Sequence, residues 1–177
     1  MARWAWVVMV AMVATGGWVP MAEAHGEEEV GALQAGVTLD ERGTQVERPT
    51  GWEVAEPPEG ARALFRSASD SVAQMEVRVS EDISRGGWER FWRAFDTDLR
   101  RHGFEVVMGR STESYGGRQG LAFEYEIAVG EEGARRLVVW HVHHEGEAWV
   151  FTGFFDESRR DAFGRNFDEL LESVDWQ

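Results

Sequence analysis

His141-Val142-His143-His144 is the one cluster in this chain with metal-ligand chemistry. Residues two apart on a strand project from the same face, so His141 and His143 set two imidazoles side by side, donors that suit copper or zinc. His144 points the other way, Glu145 or Glu147 offers an oxygen, and no spaced third ligand is evident. The competing reading is that histidines near a hairpin tip are polar residues carried on a sheet. His25 is a second candidate: cleavage of a leader after Ala24 leaves it as the first residue, presenting an amino group and an imidazole together. Against it, Gly26-Glu27-Glu28-Glu29 forms a loose neighbourhood, and its position follows equally from an accident of the cleavage site.

Other groupings carry weaker chemistry. Trp88, Phe91, Trp92 and Phe95 either line a ligand pocket or form plain core, since aromatics at helical spacing face one way. Glu27-Glu28-Glu29 lacks the spaced oxygen loop of a calcium site and reads as a solvated tail. Arg135-Arg136 and Arg159-Arg160 read as surface solvation or helix-end charge rather than an anion clamp. Asp96 and Asp98 stand two apart on a helix, where side chains do not face each other. The chain has no Gly-x-Ser-x-Gly elbow, no phosphate-cradling Gly-x-x-x-x-Gly-Lys loop and no His-Glu-x-x-His. A non-catalytic role is therefore expected, with no cofactor unless copper or zinc is held. An unrecognised hydrolase, built on a perturbed carboxylate or His102, is the remaining enzymatic alternative.

Composition narrows the class of partner. A net charge of −14 opposes nucleic acid, whose binding needs a basic surface, and opposes electrostatic docking on anionic lipid. Cysteine is absent, so disulfides, thiolate metal sites and catalytic thiols are excluded. All 18 basic residues are arginine, which fits either a salty habitat or a GC-rich genome.

Elements follow from periodicity. Met1 to Ala24 has Arg3, an apolar run from Trp4 to Val19, and the small-residue site Ala22-Glu23-Ala24, the pattern of a secretory signal. The run is shorter than the roughly 20 residues of a spanning helix. A flexible acidic lead-in is expected over 25–36 and a single domain over 37–177. Within it, 37–48 predicts a hairpin, or a strand with a tight turn, near Arg42-Gly43, and 49–52 a turn that sends Trp52 to the core. A loop at 56–60 follows, then strands at 61–68 and 72–80, the second alternating and wet on its Gln74, Glu76 and Arg78 side. Helix periodicity spans 87–102, stopped by Gly103. Strands are expected at 104–113 and 119–129, with Glu124 and Glu126 outward and a turn at Glu131-Glu132-Gly133. The stretch 137–155 reads as a hairpin turning at Glu145-Gly146, apolar on both faces. Ser158, with Asp161 three residues on, is expected to cap a last helix striped by Phe163, Phe167, Leu170, Leu171 and Val174.

The Arg48-Pro49-Thr50-Gly51-Trp52 turn, the Trp/Phe-striped helix, the strand meander and the closing helix together resemble the PsbP-like group. That group includes a photosystem II extrinsic subunit, a yeast Ran-binding protein and exported bacterial proteins. The resemblance implies an α+β fold, with an antiparallel sheet of six or seven strands flanked by helices on both faces, and binding or assembly roles; it brings no catalytic residues. The expectation is an exported accessory or binding module, periplasmic or secreted, with a protein partner, no nucleic acid and no stable membrane insertion once the leader is gone. Chemical unfolding against salt separates the two accounts of acidity: stability rising from low to molar salt marks adaptation to a saline habitat, and indifference assigns the arginine usage to codons.

Overall fold

A computed structural model of the chain describes residues 36–80, 88–130 and 133–177. The expected leader (1–24), nearly all of the lead-in, His25, Glu27-Glu28-Glu29, the Glu131-Glu132 part of the turn and the Trp88 side chain lie outside the described residues. The described residues belong to one compact unit, 34–177. Among them no helix is long and apolar enough to cross a membrane.

The unit is α+β. A small hairpin, β1 (Val37–Thr38) and β2 (Gln45–Val46), precedes a seven-stranded sheet. The sheet comprises β3 (Trp52–Ala55), β4 (Ala61–Ser67), β5 (Gln74–Ser80), β6 (Glu105–Tyr115), β7 (Arg118–Ala128), β8 (Ala134–His144) and β9 (Glu147–Asp156). Its spatial order is β3-β4-β5-β9-β8-β7-β6, antiparallel throughout. Helix α1 (Trp88–Arg101) lies between β5 and β6 in the chain, and α2 (Arg160–Glu172) follows β9 through a 3-10 turn at Glu157–Arg159. Four residues of β3 were not anticipated; its run is too short for a periodicity signal, and it exists by pairing with β4.

The β8–β9 hairpin sits at the sheet's centre and turns at Glu145-Gly146, both with positive φ (49° and 84°). Such a two-residue turn favours glycine at its second position. Register puts Trp140, Val142, Trp149, Phe151 and Phe155 on one face and Leu137, Val139, His141, Val150 and Phe154 on the other. Nearly every residue of β9 is buried. Helix α2 covers the first face: Phe163 stacks on Phe155 with centroids 4.1 Å apart, and Trp52 meets Phe163 edge-on at 5.6 Å. Helix α1 covers the second: Trp92 lies 4.2 Å from Phe123, and Phe95 meets Tyr125 at 6.3 Å. Leu99 is the buried end of that stripe, and Gly103 at φ 87° ends the helix as expected.

Covering both faces overturns several one-sided expectations. The side of β5 expected to be wet is closed, with Glu76 2% and Arg78 8% exposed and ion-paired to each other. Glu124, expected outward, is also buried, because the α2 face is no less an interior than the α1 face. Ser158 does not cap α2. It lies inside the 3-10 turn, so the helix begins at Arg160 with no side-chain cap.

Close packing leaves no room for a side chain at Gly153. A Cβ on Gly153 would stand 2.6 Å from Phe163 Cε1 and 2.9 Å from Val138 Cγ2. Gly153→Ala is therefore expected to cost about 1–3 kcal/mol through overpacking. Gly164, inside α2 with open space around it, should behave oppositely: Gly164→Ala is expected to stabilise by about 0.5–1 kcal/mol. Urea unfolding of the two variants checks both signs.

Candidate functional site

Strands β6, β7 and β8 extend beyond the cover of α2, and the shortfall leaves a cleft of about 470 Å³ on the α2 face. Met108, Ala122, Val138, Trp140 and Phe155 form its apolar floor. Phe163, Phe167 and Leu171 form the helical wall. Charged and polar groups from both sides line the rim: Glu113 and Tyr115 from β6, and Arg160, Asp161, Arg165 and Asp168 from α2. The volume lies within the usual range for small-molecule or side-chain pockets.

Two polar systems border this floor. In the first, Glu124, only 5% exposed, accepts from Arg136 Nη1 at 3.2 Å and from Arg160 Nη2 at 2.9 Å. Arg136 also donates to Glu157 at 2.5 Å and pairs with Glu126 at 2.9 Å. A buried carboxylate needs such partners, because desolvation alone would cost several kcal/mol. Arg136, expected at the surface, is thus buried as the hub of this network, whereas Arg159 is exposed and Arg160 half-exposed.

In the second system, the Tyr115 hydroxyl lies 2.8 Å from Glu113 Oε2 and 3.1 Å from Asp168 Oδ1, and Ser111 donates to the other Glu113 oxygen at 3.0 Å. A phenol carries one proton and donates to one carboxylate at a time. The second contact becomes a hydrogen bond when a carboxyl is protonated. Burial lifts Asp168 above the usual carboxylate range, the Tyr115 hydrogen bond opposes the rise, and the charges of Glu113 and Glu172 add to it. Burial, then the Glu113 hydrogen bond, raises the Tyr115 phenol so that it stays protonated.

The sequence did not mark this cleft. Tyr115 and Asp168 are 53 residues apart and meet only when α2 folds back across the sheet. The one available signal was the cross-strand recurrence of Glu and Arg in β7 and β8, which pair as Glu126↔Arg136.

The expected histidines lie elsewhere. His141 and His143 do share the α1 face of β8. His141 is 1% exposed, edge-on to Trp92 at 4.9 Å and stacked near Phe91 at 6.1 Å, whereas His143 is exposed. Burial, with a smaller contribution from His143, drives His141 down to about 2, so it stays neutral. Among the described residues no three His, Cys, Asp or Glu side chains group to hold a metal. His144 turns to the α2 face and contacts Trp176 at 4.9 Å and the Gln177 carbonyl at 3.1 Å. His102, the residue a hydrolase would use, contacts the Asp98 carbonyl at 2.8 Å at the end of α1, away from the cleft. Asp96 pairs with Arg100 one turn on, at 2.8 Å, rather than with Asp98. The described aromatics of α1 (Phe91, Trp92 and Phe95) pack on the sheet and do not line the cleft.

With this geometry in hand, comparison with solved structures is informative. PsbP from the cyanobacterium Synechocystis superimposes with a TM-score of 0.64 at 17% identity, the match covering 86% of this chain and 98% of that one. The chain has the PsbP fold. The same fold recurs in the Saccharomyces cerevisiae Ran-binding protein Mog1p (TM-score 0.55, 11% identity, 80% of this chain and 94% of that one). It recurs too in LpqN of Mycobacterium tuberculosis, a protein involved in cell envelope biogenesis (TM-score 0.55, 10% identity, 74% and 81%). No family model and no curated protein matches the sequence. At such identities the likeness shows the fold and carries no residue roles.

Two outcomes test the site's electrostatics. Arg136→Leu leaves Glu124 with Arg160 alone and is expected to cost about 3–5 kcal/mol, as when one partner of a buried ion pair is removed. For His141, the folded chain holds the neutral ring while the unfolded chain takes a proton below its ordinary 6.5. This contribution to stability is whole above that pH and is lost as pH falls, by about 1.4 kcal/mol per unit. Urea unfolding at pH 7 and pH 4.5 should show wild type losing about 3 kcal/mol more than His141→Gln; equal losses would place the His141 charge outside the folding balance.

Proposed function

We propose that this protein is an exported, non-catalytic accessory module that acts by engaging a protein partner outside the cytoplasm. The observation that carries the reading is the cleft between α2 and β6–β8, an open hollow with an apolar floor and a charged rim. Its most buried ionisable groups are tied to one another, Glu124 to two arginines and Tyr115 to two carboxylates, so they serve as a shaped surface rather than as an acid–base pair free to move protons to a substrate. The fold supports the same reading by analogy, since one neighbour is a Ran-binding protein and another is involved in envelope biogenesis. Export rests on the residues 1–24, whose charged start, apolar run and Ala22-Glu23-Ala24 site follow the pattern of a cleaved secretory leader.

Expression of the full chain in a bacterial host tests both halves. The intact mass of protein recovered from the periplasmic fraction is expected to begin at His25. A photo-crosslinker at Arg165 should give a discrete protein adduct in the native envelope, and the same group at exposed Thr97 on α1 should not. Retention of the leader in the cytoplasm contradicts export, and adducts from Thr97 alone contradict the assignment of the working face.

A further inference from the structure

The charge around the cleft is unbalanced. Glu124 is neutralised by Arg136 and Arg160 and is buried beside the floor rather than standing at the opening. Glu113 and Asp168 share one phenol, which carries no charge to offset theirs. Asp161 is exposed on the same rim. Against these three carboxyls stands Arg165, exposed and outside the ion pairs that hold Arg136 and Arg160. The opening is therefore acidic above an apolar and aromatic floor, a combination that complements a long cationic side chain, whose methylene stem is apolar and whose head is charged.

A second feature adjoins it. Strand β6 is the edge of the sheet, and its Val106, Val107 and Met108 are 37%, 46% and 36% exposed. Met108 is at once part of that apolar edge and part of the cleft lining, so the two surfaces are continuous. The β6–β7 register slips twice between Val106 and Ser111, a bulge that bends the edge, and among the described residues no strand pairs with its outer side. An open edge with exposed β-branched residues accepts an extended segment, whose alternate side chains then lie on the α2 face beside the cleft.

We infer that the cleft and the β6 edge together receive an extended, basic–apolar segment of the protein partner, with an arginine or lysine side chain seated between Glu113 and Asp168 and apolar neighbours lying along Val106–Met108. This deepens the accessory-module reading and rests on it, naming the chemistry of the partner. Glu113 and Asp168 supply the charge, Phe163 and Phe167 flank the stem, and Ser111 and Tyr115 hold the carboxylates in place.

The test is titration of the full exported protein with capped pentapeptides alternating valine with arginine, glutamine or glutamate, followed by amide NMR shifts. The arginine peptide is expected to bind about ten-fold more tightly than the glutamine peptide, the margin a single charged contact supplies, and the glutamate peptide not at all. Shifts should concentrate at Met108, Glu113, Gly164 and Arg165. Glu113→Gln with Asp168→Asn should erase the preference for arginine. Arg165→Glu, a surface change that spares the fold, should strengthen it about three-fold and keeps the test decisive if the double variant is unstable. Equal binding of the arginine and glutamine peptides, shifts confined to the α1 face, or no binding by any peptide overturns the inference. If the Arg165 crosslink to a native partner persists under any of those results, the accessory-module reading stands and only this account of its ligand falls.

Discussion

Burial of one hairpin on both sides governs this molecule. Strands β8 and β9 carry large apolar residues in both registers, so neither face can be left to water, and each must find a helix. The chain supplies α1 before the hairpin and α2 after it. The remaining strands extend the sheet on either side, and the small β1–β2 hairpin closes one margin of the α2 face by bridging Gln45 to Asp175. Among the described residues the α2 face holds one continuous core from Leu39 through Trp140 and Phe151 to Val174, while the α1 face carries an aromatic patch around Trp92, Phe123 and His141.

A sheet closed on both faces changes the meaning of its polar residues. Glu76, Arg78, Glu124 and Arg136 lie on strands that would elsewhere show them to solvent, and here each is held by an opposite charge. Removing one member leaves its partner charged in a medium of low polarity, which is why such pairs bind the packing of helix and strand so tightly. At the α2 face this network links the first turn of the helix to β7 and β8. The helix is thereby fixed at one end over the sheet, and the uncovered strands beside it become the cleft.

Much of this was legible in the residues. The Glu145-Gly146 turn, the two-sided hairpin, the stripe from Phe91 to Leu99, the Gly103 stop and the turn before Trp52 all follow from local patterns of period two or 3.6 and from glycine conformation. What escaped was tertiary. Alternation in β5 and β7 reads as a wet face unless the second helix is known to lie there, so Glu76 and Glu124 were placed outside. The 3-10 turn that displaces Ser158 from the cap of α2 begins at Glu157, whose partner Arg136 lies 21 residues away. Strand β3 is too short to announce itself, and Tyr115 and Asp168 meet across a separation that no spacing rule spans. The aromatic surroundings of His141 are likewise tertiary, made by Phe91 and Trp92 packing against β8.

In this account the centre of the sheet is rigid and the cleft's outer wall is its softest part, since β6 has an open edge and a bulged register while β8 and β9 are covered twice. Native-state amide hydrogen exchange tests that division directly, because it reports the free energy of opening strand by strand. The account predicts that amides of 137–143 and 148–154 exchange only through global unfolding, while those of 105–111 exchange through smaller local openings. Protection in β6 equal to that in β8 and β9, or early opening of the central pair, would contradict it.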